Sequence, residues 1–186
     1  MIRGANLKAD PTLIVRAHWS TYTNASTGGR YWPDYVLAVV PSAAVLTICL
    51  VFDVELDTTA TAALLTVSGL LGAFLFGVML QIYERAYELE DAKPIPDEAL
   101  STQVANLEEL AANAAYAALV CIVTAGTFAV ASATSGWWLR GFIAAGLALT
   151  AHYGIVLIMV MRRLFLRTQA SLLRARTGAG RSRRAA

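Results

Sequence analysis

Four stretches of this chain carry no Asp, Glu, Lys or Arg: residues 35–52, 58–83, 110–139 and 141–161. Each is long enough for a spanning helix, because about 20 residues at 1.5 Å rise cross the hydrocarbon core of a bilayer. Backbone groups in lipid must satisfy one another within the segment, so runs like these fold as helices. A membrane barrel would instead show short segments of alternating polarity. The expected fold is therefore an all-α membrane protein with four transmembrane helices, paired as two hairpins. The spacing puts the spans at 33–52, 60–83, 110–132 and 137–161, within a bundle at 33–162. Composition agrees, since 57% of the 186 residues are hydrophobic and only 15% are charged, against about 25% charged in a soluble domain.

The segments between the spans are distinct. In the N-terminal segment 1–32, Asp10-Pro11 is a helix start, with Asp as N-cap and Pro at the first helical position. Ile14, Val15, His18, Trp19 and Tyr22 then recur on one side, which predicts a short amphipathic helix in the membrane interface. Tyr31, Trp32 and Tyr35 form an aromatic belt at the entry to the first span, and Trp137-Trp138 anchor the last. Pro41 lies inside the first span and is expected to kink it, freeing a backbone carbonyl. Residues 84–109 read as a helical hairpin that extends two spans beyond the membrane, turned at Pro94 and Pro96. The tail 163–186 begins helical, and from Thr177 onward its Gly, Ser, Arg and Ala content predicts disorder.

Charge placement sets the topology. Fourteen of the fifteen Lys and Arg residues lie in the N-terminal segment, the hairpin and the tail, and Arg140 alone lies in an outer loop. The positive-inside rule assigns the richer side to the cytoplasm. The expected location is the bacterial inner (cytoplasmic) membrane, multi-pass, with both termini inside. The hairpin 84–109 has eight acids against two bases, and residues 162–186 have eight Arg and no acid. Arg162, Arg163, Arg167, Arg174 and Arg176 are candidates to hold anionic lipid, at about 1 kcal/mol per basic residue near the surface, or a cytoplasmic protein partner. No nucleic-acid partner is expected.

Small residues recur at helical spacing in three spans: Gly69, Ala73 and Gly77; Ala117, Cys121 and Ala125; Gly146, Thr150 and Gly154. Such stripes let neighbouring helices approach closely. Three of them exceed what one bundle needs, so a homo-oligomer is expected. Cys49 and Cys121 read as buried packing residues.

Catalytic signatures are absent. There is no His-Glu-x-x-His, phosphate-cradling loop, nucleophile elbow or dinucleotide fingerprint, and His18 and His152 are the only histidines. No enzyme activity, metal or cofactor is expected. His152 is the one ionisable group inside a span. It marks either a proton or ion path or a neutral imidazole bonded to Ser68, Thr124 or Thr127. Asn113 and Tyr116 form a polar pair near the entrance of the third span, as interhelical hydrogen bonders or pore lining. The plan of short spans and a basic tail is similar in size and charge layout to phage holins and to small membrane effectors of bacterial defence systems, a likeness carried by no motif. The expectation is a non-enzymatic homo-oligomer that forms a pore or permeation path. The alternative is a membrane anchor or scaffold that recruits a cytoplasmic partner through the acidic hairpin or basic tail.

Overall fold

The computed structural model describes residues 11–22, 32–91 and 98–182. These form five helices: α1 (Pro11–Ser20), α2 (Trp32–Val51), α3 (Thr58–Asp91), α4 (Glu98–Ser132) and α5 (Gly136–Ser182), with no strand among the described residues. Four segments are long and apolar enough to cross a membrane: Trp32–Val51, Thr58–Arg85, Leu107–Ser132 and Gly136–Arg162. They coincide with the four expected spans to within a few residues.

Local chemistry explains the helix ends. The Asp57 carboxylate accepts the Ala60 backbone N–H at 2.6 Å, an N-cap that satisfies one of the orphan donors of α3. Gly136 opens α5 at φ +63°, a left-handed turn that glycine adopts without strain. Asp53 closes α2 with φ +48°. The expected outer Arg140 reaches back to this turn, 2.9 Å from Asp53 and 3.3 Å from Glu55. All three side chains are largely exposed, and such pairs contribute about 0–1 kcal/mol.

The packing is a row rather than a closed bundle. The substantial interhelical contacts are α3 with α4, α4 with α5, α5 with α2, and α1 with α4. α2 and α3 therefore stand at opposite ends of the row. Burial follows this order: 56% of the apolar window of α4 is buried, against 39% in α5, 17% in α3 and 11% in α2. The nine-alanine third span suits the inner place, since short side chains let two neighbours pack on it at once.

The three small-residue stripes differ in burial. Ala117 and Cys121 are fully buried, with Ala125 partly so. Gly146 is pressed against Phe128, where an added Cβ would fall 2.7 Å from the ring. Thr150 and Gly154 are only partly buried, and a Cβ at Gly154 would meet nothing. Gly69, Ala73 and Gly77 are exposed, and a Cβ at either glycine has open space. The contact face of α3 is instead Thr61, Ser68, Gly72 and Leu75. A Cβ at Gly72 would lie 3.3 Å from the Cys121 Cβ. The close approach of Gly72 to Cys121 marks this face, since in lipid shape rather than apolar area ranks helix contacts.

Two further expectations change. α5 continues to Ser182, so helix replaces the disorder expected from Thr177. The described part of this extension is rich in Ala, Leu and Arg, all good helix formers, and it grows from an already nucleated helix. The helical arms of the 84–109 hairpin are present as the end of α3 and the start of α4. Its turn, with Pro94 and Pro96, lies outside the described residues, as do the side chains of Arg163, Arg167, Arg174 and Arg176. Arg162 is exposed.

Candidate functional site: a polar clasp at one end of the spans

The start of α2, the start of the α4 span and the end of the α5 span lie at the same end of the helices. α1 packs there against α4. Its apolar stripe faces protein: Ile14 and Val15 pack on the cluster of Tyr116, Ala117, Val120 and Val156. His18 and Tyr22 are each 1% exposed. The expected interfacial helix is thus seated on the spans, because His18 has a polar partner there that lipid would not offer.

His18 Nδ1 lies 2.7 Å from the Asn113 side-chain oxygen. The Thr21 hydroxyl lies 2.7 Å from the His18 carbonyl and 3.2 Å from the same Asn113 oxygen, and it gives its one hydrogen to the nearer acceptor. The Asn113 oxygen is left to accept, so His18 carries its proton on Nδ1. The Tyr22 hydroxyl then donates to Nε2 at 2.8 Å. The His18 ring is stacked on the Tyr116 ring, with centroids 3.8 Å apart and planes 5° apart.

The second imidazole repeats the first. His152 Nδ1 lies 3.0 Å from the Ala38 carbonyl. A carbonyl only accepts, so Nδ1 carries the proton. Nε2 accepts the Tyr116 hydroxyl at 2.8 Å. The Ser42 hydroxyl donates to the same Ala38 carbonyl at 3.2 Å. Pro41 lies within this turn of α2.

Five side chains and one carbonyl thus join four of the five helices. Tyr22 and His18 come from the α1 segment, Asn113 and Tyr116 from α4, His152 from α5, and the Ala38 carbonyl from α2. An aromatic group surrounds them. Trp19 stacks on Tyr35 at 5.1 Å, and the Tyr35 hydroxyl donates to the Trp19 carbonyl at 3.1 Å. Buried polar groups hold together only when each is bonded, and here both nitrogens of both histidines are.

The expected intramembrane trio of His152, Asn113 and Tyr116 is therefore brought to one place. The hydrogen-bond partners expected for His152 are not those found. Ser68 lies on α3, which has no substantial contact with α5. Thr124 and Thr127 bond their own helix at the Val120 and Val123 carbonyls. Sequence reasoning missed His18 and Tyr22 as members of the site. The signal was their four-residue spacing on a helix face with no other polar residue, which fits a polar key as well as an interfacial stripe.

Chemically, the arrangement is a hydrogen-bonded clasp in which both nitrogens of each imidazole are engaged. Among the described residues, no three His, Cys, Asp or Glu side chains converge as a metal site would require. Comparison with family models, curated proteins and solved structures gives no match for this chain.

Proposed function

We propose that the chain is a non-enzymatic integral membrane scaffold, multi-pass in the bacterial inner membrane, that holds charged helical arms on the cytoplasmic side for a protein partner. The observation that supports this is the continuity of its helices. α5 runs 20 residues past the last span residue Arg162 to Ser182, about 30 Å of helix. The arms of α3 and α4 emerge at the same end. Their opposite charge, eight acids on the hairpin and eight Arg at and beyond Arg162, suits protein recognition more than simple solvation.

A second reading, a homo-oligomeric permeation path, is favoured by the open row. α2 and α3 each leave a side uncovered, and the outward Gly69, Ala73 and Gly77 face on α3 has room for a neighbouring helix. His152 bonds Tyr116 and Asn113 bonds His18 within the chain, so a path would have to be lined by other groups or follow release of the clasp.

Expression in bacteria of the full chain and of a form ending at Leu164, with membrane potential read by a voltage-sensitive dye, separates the two. A steady potential, together with a cytoplasmic protein that cross-links to the full chain and not to the truncated form, supports the scaffold. Depolarisation by both forms at equal membrane levels overturns it in favour of permeation.

A further inference from the structure

α2 and α5 face each other through matching stripes that fail to close. Val39, Ala43 and Leu46 of α2 and Ala145, Ala148 and Leu149 of α5 line a groove of about 420 Å³ between them. Three of these six residues are alanines, so the walls are low. On the α2 side Val39 is still 50% exposed and Leu46 36%, although both turn toward a neighbouring helix. The two buried residues of α2, Ala38 and Cys49, fall on either side of this stretch. α2 is thus buried at Ala38 and at Cys49 and lies open to the groove between them.

The polar groups at the groove are already used. Ser42 and His152 complete its lining, and both donate to the Ala38 carbonyl, while Nε2 of His152 accepts from Tyr116. Nothing at this depth asks an occupant for a polar atom, and an apolar groove of this kind does not hold water. The groove lies wholly within two spans. One turn beyond Ala38 the stacked Trp19 and Tyr35 and the exposed Trp32 form the kind of aromatic belt that sits at headgroup level. The geometry points to a lipid-binding site: a headgroup at the Trp32–Tyr35 belt, and one acyl chain laid along the groove from Val39 to Leu46, about 10 Å of helix length.

This inference rests on the four spans lying in a bilayer and is independent of the choice between scaffold and permeation path. The test uses the full-length chain reconstituted with a phospholipid that carries a photoreactive group in its acyl chain. Membrane insertion is checked in the same sample by resistance to alkaline extraction, so a failure to insert is distinguished from a failure of the site. The expected result is labelling concentrated on residues 39–46 and 145–152 that saturates and is displaced by unlabelled lipid. Ala148→Trp fills the groove and cuts this labelling about tenfold, equivalent to about 1.4 kcal/mol of affinity. Val40→Trp, on the exposed outer side of α2, leaves it unchanged. Where Ala148→Trp does not fold, Ala43→Phe closes the groove from the other wall. Labelling no stronger in the groove than on the exposed Leu70 and Phe74 of α3 overturns the proposal. So does full labelling in a folded groove-filling variant, or cross-linking of the groove to a second copy of the chain in place of lipid.

Discussion

Hydrogen bonds inside a membrane contribute less than their surroundings suggest, because the unfolded chain in lipid also finds partners. Tyr116→Phe removes the hydroxyl bonded to His152 Nε2 and keeps the ring stacked on His18. It should lower stability by about 0.6–1.7 kcal/mol, measured by thermal unfolding in detergent. Ser68 is the opposite case. Its hydroxyl is buried and has no hydrogen-bond partner among the described residues, so Ser68→Ala should be neutral or stabilising in the same assay, since an unsatisfied polar group costs about 1–3 kcal/mol. Glycines separate as sharply. Gly146→Ala places a methyl group 2.7 Å from the Phe128 ring and should cost about 1–3 kcal/mol by overpacking. Gly77→Ala enters open space and gains helix propensity of about 1 kcal/mol. A lower stability for Gly77→Ala than for the wild type would mean that another helix covers this face.

At the scale of elements, α1 is the one most dependent on its seat. A helix of ten residues is marginal in isolation, and its hold on the spans centres on His18. His18→Ala deletes the bond to Asn113, the bond to Tyr22 and the ring stack. It should release α1 while leaving the spans helical. Hydrogen exchange over residues 11–22 should then rise toward unprotected rates, with protection in 111–131 retained. Unchanged protection of α1 would show that Ile14 and Val15 alone hold it. The stripe of α1 was legible in the sequence as a periodicity. Its target was not, because amphipathic spacing reports that a face is buried without saying whether lipid or protein covers it. The α5 extension runs against the local signal for a related reason: Gly178 and Gly180 disfavour helix, but a helix already formed upstream removes the nucleation cost.

For the whole molecule, the orientation argued from Lys and Arg has a direct test. The two native cysteines are buried, so single reporters can be added at exposed positions. Ser135→Cys in the α4–α5 turn should react with a membrane-impermeant maleimide in intact cells, and Glu108→Cys should react only after permeabilisation. The reverse pattern would invert the topology and move the charged arms to the outer side. Closure of the row is a separate matter. α2 and α3 are each covered on one side only, which is tolerable in lipid because hydrocarbon solvates an apolar helix face as well as another helix does. In water the same open row would leave most of α2 and α3 to be buried elsewhere.

The number, placement and helical nature of the spans were determined by the sequence alone, because a charge-free run of spanning length has one way to satisfy its backbone in lipid. The same holds for the charge asymmetry between hairpin and tail. Which faces pack was decided only by the tertiary structure. The order α3–α4–α5–α2, the outward turn of the Gly69 stripe and the meeting of His18 with Tyr116 across 98 positions of chain depend on how side chains of similar polarity compete for contact. In a chain whose spans are apolar all round, hydrophobicity does not rank those contacts; shape and a few hydrogen bonds do.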